Sequence, residues 1–371
     1  MPHFGLHHRF HSLCIATLLL ALGAAGLSAQ SLPQQGPVII PKKKTAPASP
    51  VAPPPQPTGP PTVEKPQYHF SVNVPDVEVP VSVQLKDGQF VPHLTAKQFA
   101  IYEDGVRQQI EKVSISNDAP MTAVLLVQFN NTWYPVLYRI LQASYDFTGL
   151  MQPQDWVALV TFDLKPYIVV DFTHDRGAIQ SAIASLHFAN FSESDLFDSL
   201  SNTIARLNGV QGHKTIILIA TGLNTFSHMN FDQLRKQIET TQNVTIYSIS
   251  MSFVLENWLE ENGYTGESEM ALLQGDNEMR YFATATGGRY YQPRFIGGFG
   301  DVFKDIAQTV RSQYVISYSP TDRKLDGTQR KIKVELLAPD GKPLQIVNQK
   351  GKKLKYTIDY RPYYTAPRVV Q

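Results

Sequence analysis

The pattern of hydrophobic and polar positions changes twice along the chain. Residues 68 to 117 alternate, in Phe70-Ser71-Val72-Asn73-Val74 and again in Val77-Glu78-Val79 and Val81-Ser82-Val83-Gln84-Leu85, as strands with one buried face do. Lys86-Asp87-Gly88 and Glu103-Asp104-Gly105 interrupt them with the Asp-Gly pair that tight turns favour, because glycine accepts positive φ without steric cost. A small β module over 68–118 is predicted, too short a sheet to bury much surface alone.

From Met121 the alternation gives way to continuous apolar runs: Ala123-Val124-Leu125-Leu126-Val127, Trp156-Val157-Ala158-Leu159-Val160, Thr215-Ile216-Ile217-Leu218-Ile219 and Val244-Thr245-Ile246-Tyr247-Ser248-Ile249. Such runs are what strands buried on both faces require. Tyr314-Val315-Ile316-Ser317-Tyr318 reads as a last member of the set. Between the runs, Val136, Ile140, Ala143 and Phe147 have helical spacing, as do Ile179, Ile183 and Leu186, and Leu196, Leu200, Ile204 and Leu207. Tyr167 to Phe172 follows the second run too soon for a crossover helix, so it is expected as an antiparallel edge partner. The prediction for 119–319 is a doubly wound α/β domain with a mostly parallel sheet. An insertion from Ser252 to Gln274 leaves its edge, with Val254, Leu255, Trp258 and Leu259 on one helix face. Trp258 there is either core or a partner contact. After Ser319-Pro320 the alternation returns, as in Arg330-Lys331-Ile332-Lys333-Val334-Glu335-Leu336, and predicts a C-terminal β extension and tail over 320–371.

The N-terminal stretch has a different logic. Residues 1–29 place one arginine, Arg9, before an apolar run from Leu13 to Ala25 and end in small residues at Ser28-Ala29, the anatomy of a signal peptide. An uncleaved anchor is the alternative, although the run is short for a membrane span. Residues 30–67 are proline-rich, with Pro53-Pro54-Pro55 and Pro60-Pro61, and are expected to be a solvated, disordered linker. Export to the periplasm or the extracellular space follows from this reading, with no membrane insertion after cleavage.

Composition narrows the function classes. Of 371 residues 43% are hydrophobic and 18% charged, which is globular, and the net charge of +1 gives nucleic acid no field to follow. The single cysteine, Cys14, lies in the leader, so the body has neither disulfides nor cysteine-based zinc sites.

Several blocks of the sequence resemble the von Willebrand factor A superfamily, and in particular the von Willebrand-factor-A-related proteins of the acidobacterial type. Leu94-Thr95-Ala96-Lys97-Gln98-Phe99-Ala100-Ile101-Tyr102-Glu103-Asp104-Gly105 is similar to that group's entry stretch. Asp155 to Phe162, Thr284-Ala285-Thr286-Gly287-Gly288-Arg289-Tyr290-Tyr291, and Gln313 to Pro320 followed by Asp326-Gly327 and Arg330 to Val334 match further blocks in the same order. The resemblance implies a metal-ion-dependent adhesion site (MIDAS) at the carboxyl ends of the parallel strands, built from an Asp-x-Ser-x-Ser motif, a loop threonine and a further aspartate. By position these fall on Gln128, Asn130 and Thr132, on Ser194, and on Thr221. Both motif carboxylates are thus replaced, by Gln128 and Thr221, and the site is expected to be degenerate.

Mg²⁺ wants hard oxygen ligands with charge among them, and Gln128, Asn130, Thr132, Ser194 and Thr221 are all neutral. No cofactor is therefore expected, and Asp195 is the one residue that could compensate and rebuild a Mg²⁺ or Ca²⁺ site. The rim from Gln128 to Thr132, with Ser194 and Thr221 to Asn224, is still where a doubly wound sheet binds ligands. It is read either as a recognition face or as polar loop residues satisfying one another. No Gly-x-Ser-x-Gly, His-Glu-x-x-His or phosphate-loop motif occurs, and the histidines are scattered without ligand spacing. The function expected is non-catalytic binding of a protein or cell-surface ligand. The alternative is an envelope-complex scaffold or solute-binding component that uses the insertion or the β edges, leaving the rim vestigial.

Overall fold

In the computed structural model the residues described are 76–115, 120–130, 134–186, 191–261, 263 and 267–368; the predicted signal peptide and linker, and Thr132, lie outside them. Four strands come first: β1 (Val77–Leu85), β2 (Phe99–Glu103), β3 (Val106–Arg107) and β4 (Ile110–Ile115). The α/β region then runs β5 (Thr122–Gln128), α1 (Tyr134–Thr148), β6 (Trp156–Phe162), β7 (Pro166–Thr173), α2 (Arg176–Ser185), α3 (Leu196–Leu207), β8 (Lys214–Ala220), α4 (Phe231–Thr240) and β9 (Val244–Ser250). It closes with α5 (Ser252–Glu261), α6 (Glu267–Ala285), β10 (Tyr290–Tyr291) and α7 (Phe299–Arg311). Last come β11 (Tyr314–Tyr318), β12 (Gln329–Leu336), β13 (Ile346–Val347), β14 (Lys353–Leu354), β15 (Tyr356–Tyr360) and β16 (Tyr363–Thr365).

The continuous apolar runs form a six-stranded sheet in the order β10-β9-β8-β5-β6-β7. All its neighbours pair in parallel except β7, which pairs antiparallel with β6 at the edge, as expected from the short connection. Because successive side chains point to opposite faces, each central strand feeds two cores. Leu125, Val127, Ile217 and Ile219 pack with Ile140 and Phe147 of α1, Ile183 of α2 and Phe303 of α7. Val124, Leu126, Ile216 and Leu218 pack with Leu200 of α3, Leu234 of α4 and Phe282 of α6. Burial on both faces is what makes these strands read as unbroken hydrophobic runs.

The run at Tyr314 to Tyr318 is a correction. It belongs not to the parallel sheet but to an antiparallel one, β15-β1-β11-β4, where β11 lies between β1 and β4. The physical reason is visible in its burial: Tyr314, Ile316 and Tyr318 are fully buried while Val315 and Ser317 are only half-buried, so the strand has one core face. A second sheet, β16-β12-β2-β3, pairs Ile332–Leu336 of β12 with Phe99–Glu103 of β2. The early and late alternating segments therefore interleave, through β1 with β15 and β2 with β12, around one core that includes Val81, Val83, Ile101, Ile316 and Val334. Two short segments that could not bury enough surface singly do so together.

Charged groups join this sandwich to the α/β half. Arg289, just before β10, donates to Asp305 of α7 at 2.8 Å and also to Asp359 of β15 and Gln84 of β1. Tyr291 donates to Asp305 at 2.6 Å, and Gln84 donates to Thr309 of α7 at 2.5 Å. The adjoining Gly288 lies so close to β9 that a Cβ would stand 2.0 Å from the Ile246 carbonyl oxygen. At the amino ends of the strands Asp155 is fully buried, paired with Arg311 at 2.5 Å and accepting the amides of Met121 and Gln152. Among the described residues no helix is long and apolar enough to cross a membrane.

Candidate functional site: the rim at the carboxyl ends of the strands

Parallel pairing in register brings the ends of β5 and β8 side by side, Val127 opposite Ile219, so that Gln128 and Thr221 emerge as neighbours. They satisfy each other. The Gln128 side-chain oxygen accepts the Thr221 amide at 2.9 Å and the Thr221 hydroxyl at 3.1 Å, and the same hydroxyl accepts the Leu223 amide at 3.0 Å. Both side chains are buried. The loop carrying Thr221 is pressed against α6: Gly222 has φ +85°, and a Cβ on it would stand 2.6 Å from the Gly275 backbone. Only glycine meets both demands.

Asn130, two residues beyond β5, donates its side-chain amide to the Ser192 carbonyl at 3.0 Å. This ties it to the segment before α3. Ser194 is tied in turn to the loop after β8, accepting the amides of Thr225 and Phe226 at its carbonyl and donating its own amide to the Thr225 hydroxyl at 2.8 Å. Two side-chain oxygens remain buried without a partner, Oδ1 of Asn130 and Oγ of Ser194. Such orphaned acceptors cost free energy unless something outside the chain answers them. Exposed Phe191 and Phe226 flank Ser194 in sequence and by the Phe226 amide bond.

Asp195 and Asp198 fall into different roles. Asp195 is buried and accepts hydroxyl hydrogens from Ser227 at 2.8 Å and Ser199 at 3.4 Å. Burial raises its pKa, against the pull of those two hydroxyls. Asp198, in the first turn of α3, receives the amides of His228 at 2.8 Å and Met229 at 2.9 Å. Partial burial opposes its ionisation, but these donors outweigh it and hold the carboxyl below the usual range. Asn224 accepts from Ser227 at 2.5 Å and from the Phe197 amide at 3.3 Å, which closes the same loop onto the start of α3.

None of the described residues at the motif positions carries a carboxylate. Gln128 Oε1 already takes two donors, Thr221 spends its hydroxyl on Gln128 and Leu223, and the Asp195 carboxylate is held by two hydroxyls, while the oxygens left free at motif positions, Asn130 Oδ1 and Ser194 Oγ, are neutral. No group of three metal-ligating acids, histidines or cysteines occurs among the described residues. Hard cations need oxygen lone pairs that are free, with negative charge among them. Among the described residues of the rim, no hydroxyl is bonded to a histidine ring as an activated nucleophile would be. Ser227, His228 and Asp198 are neighbours, but the one hydrogen of the Ser227 hydroxyl is shared between Asp195 and Asn224, and among the described residues no bond joins it to the His228 ring.

Trp258, on α5, is half-buried against the core that also holds Val254, Leu255 and Leu259. Next to it lies a polar cluster that sequence reasoning missed. Asp276 of α6 accepts hydrogen bonds from Ser250, Ser252, Tyr290 and Gln292, all within 2.8 Å, and so pins the ends of β9 and β10 to the insertion. Its donors come from two separate segments, Ser250 with Ser252 and Tyr290 with Gln292, and no spacing in the sequence links them to a lone acid in a polar helix. Asp163 was missed for the same reason: it is buried after β6, and its carbonyl accepts the Asp195 amide at 2.6 Å.

The strand order, the antiparallel edge β7 and the helices on both faces give this half of the chain a doubly wound α/β fold with a mostly parallel sheet. No family model matches the chain, and no curated protein is similar to it. Solved structures do resemble it. One is a von Willebrand factor type A protein from Catenulispora acidiphila, at 11% identity over 81% of this chain and 75% of that one, with a TM-score of 0.43. Another is the vWF domain of the type V pili tip protein Mfa5 from Porphyromonas gingivalis, at 13% identity over 52% and 95%, with a TM-score of 0.40. A third is proximal thread matrix protein 1 from the mussel byssus with a zinc-occupied MIDAS motif, at 13% identity over 56% and 50%, with a TM-score of 0.42.

Proposed function

We propose that the chain is an exported, non-catalytic binding module that recognises a protein or cell-surface ligand at the rim, without a divalent metal. The observation that carries this reading is the Gln128–Thr221 clasp. At the two positions where the family resemblance calls for carboxylates, the side chains are neutral and bond to each other, so the rim is shaped and uncharged where an ion would sit. What it presents to solvent is exposed Phe191, in the segment before α3, and exposed Phe226, in the loop after β8 that Ser194 ties to that segment. Aromatic surface of this kind suits the apolar side chains of a peptide. Export rests on the leader and the proline-rich segment of the sequence.

The test is binding of labelled cell-envelope protein fractions to the full chain, with chelator and with Mg²⁺, for the wild type and for Gln128→Ala with Thr221→Ala. The reading predicts binding that survives chelation and is lost in the double variant, whose folding is checked by its unfolding midpoint. Equal binding by a folded double variant overturns it.

A further inference from the structure

A cavity lies at the other end of the sheet, where the sandwich meets the amino ends of β8 and β9. Its volume is about 240 Å³, and its wall includes Asp76, Glu78, Pro80, His213, Arg361 and Tyr363. It exists because of a mismatch in strand lengths. β15 pairs with β1 only over Val81–Leu85, and after Tyr360 the chain turns away to form β16 beside β12. Among the described residues, the first residues of β1 have no strand neighbour on that side, and Pro80, which has no amide hydrogen to offer, sits in this stretch.

The charges around the cavity are unevenly matched. Arg361 donates to the Ile238 carbonyl at 2.6 Å, makes no ion pair among the described residues, and has a buried Nε without any hydrogen-bond partner. Burial pulls its pKa down to about 10, as expected of a guanidinium short of compensation. His213 is held by the Thr245 hydroxyl at 2.9 Å; burial, with Lys214 and Arg361 nearby, pushes its pKa down to about 4, so the ring is neutral and supplies no second cation. On the sandwich wall stand two carboxylates. Asp76 accepts from Ser319 at 2.6 Å, and Glu78 makes no ion pair among the described residues. A simple anion would answer Arg361 but meet Asp76 and Glu78, and a simple cation would meet the reverse.

We propose that this cavity binds a small zwitterion of the α-amino acid class, its carboxylate set toward Arg361 and its ammonium toward Asp76 and Glu78. The volume agrees with that class: a cavity of about 150 Å³ holds benzene, so this one has room for an amino acid with a modest side chain. Carboxylate on guanidinium is a strong charge-assisted pairing, and satisfying both walls at once is what separates a zwitterion from either of its halves. This inference is independent of the rim, which lies at the opposite ends of the strands.

The experiment measures the unfolding midpoint of the full chain against increasing glycine, L-alanine, L-leucine, L-glutamate and L-lysine, with sodium acetate and ethylammonium chloride as the two half-ligands at matched ionic strength. A ligand bound only by the folded state raises the midpoint saturably. At least one amino acid is expected to do so, and neither half-ligand. Arg361→Met and, separately, Glu78→Gln are each expected to raise the concentration for half-effect about tenfold or more. Glu78 is exposed, so its variant keeps the test valid if Arg361→Met fails to fold. The His213 ring resonances give a second readout and shift on addition of the same amino acid. The proposal is overturned if no amino acid moves the midpoint, if acetate alone does as well, or if Glu78→Gln leaves the half-effect concentration unchanged.

Discussion

The rim and the seam between the two halves use polar residues in opposite ways. At the rim, Gln128 and Thr221 are neutral and close on each other. At the seam, Arg289, Asp305 and Asp359 are ionisable groups about a fifth to a quarter exposed, and Arg289 pairs both with Asp305 of its own half and with Asp359 of the sandwich. An ion cluster therefore holds two layers together at the seam, while the clasp between β5 and β8 is made by neutral side chains. A buried ion pair earns little net stability but is costly to break, whereas a neutral clasp can be altered at lower cost. The seam is accordingly the mechanical part of the molecule and the rim the part open to change.

The largest effect expected is at the seam. Arg289→Met strands Asp305 and Asp359 and should cost about 3 kcal/mol in denaturant unfolding; a loss below about 1 kcal/mol would show that the ion cluster does not join the halves. Next is Gly222→Ala, which sets a methyl group against Gly275 at a positive φ and should cost about 2 kcal/mol. Gln128→Ala leaves the buried Thr221 hydroxyl and amide without their acceptor, and about 1–2 kcal/mol should be lost.

The smallest effects separate Asp195 from Asp198 by the sign of their pH dependence. Asp198 has a folded pKa below the ordinary 3.8, so its stabilisation is present above that value and lost as pH falls through the folded pKa. Asp198→Asn should therefore cost about 1 kcal/mol at neutral pH and less in acid. Asp195 has a raised pKa, so its carboxylate lowers stability as pH rises past 3.8, and Asp195→Asn should flatten that fall. Unfolding midpoints across the acid range check both signs, and identical slopes for the two variants would contradict the assignment.

The parallel sheet was legible because burial on both faces leaves an unmistakable run, as in Ile216 to Ile219. β11 misled because Val315 fills the gap between buried Tyr314 and Ile316, making an alternating strand look continuous. Gln128, Ser194 and Thr221 could be placed at the rim from motif positions, but their mutual bonding could not, since it depends on the register of β5 against β8. Asp276 and the role of Arg289 were hidden for a related reason. Each draws its partners from segments far apart in sequence, and only the packed chain shows that Arg289, in the Gly287-Gly288-Arg289 block, reaches Gln84 and Asp359.

The central claim, a rim whose former ion positions bind each other, is tested most directly by the unfolding midpoint of the full chain with chelator and then with Mg²⁺, Ca²⁺ and Mn²⁺. Gln128→Asp with Thr221→Asp serves as the comparison in which two carboxylates are restored. The account predicts no metal-dependent shift for the natural chain and a saturable rise for the restored one, reaching about 2.7 kcal/mol at a hundredfold excess over the dissociation constant. A saturable, metal-specific rise in the natural chain, lost in Asp195→Asn, would contradict it.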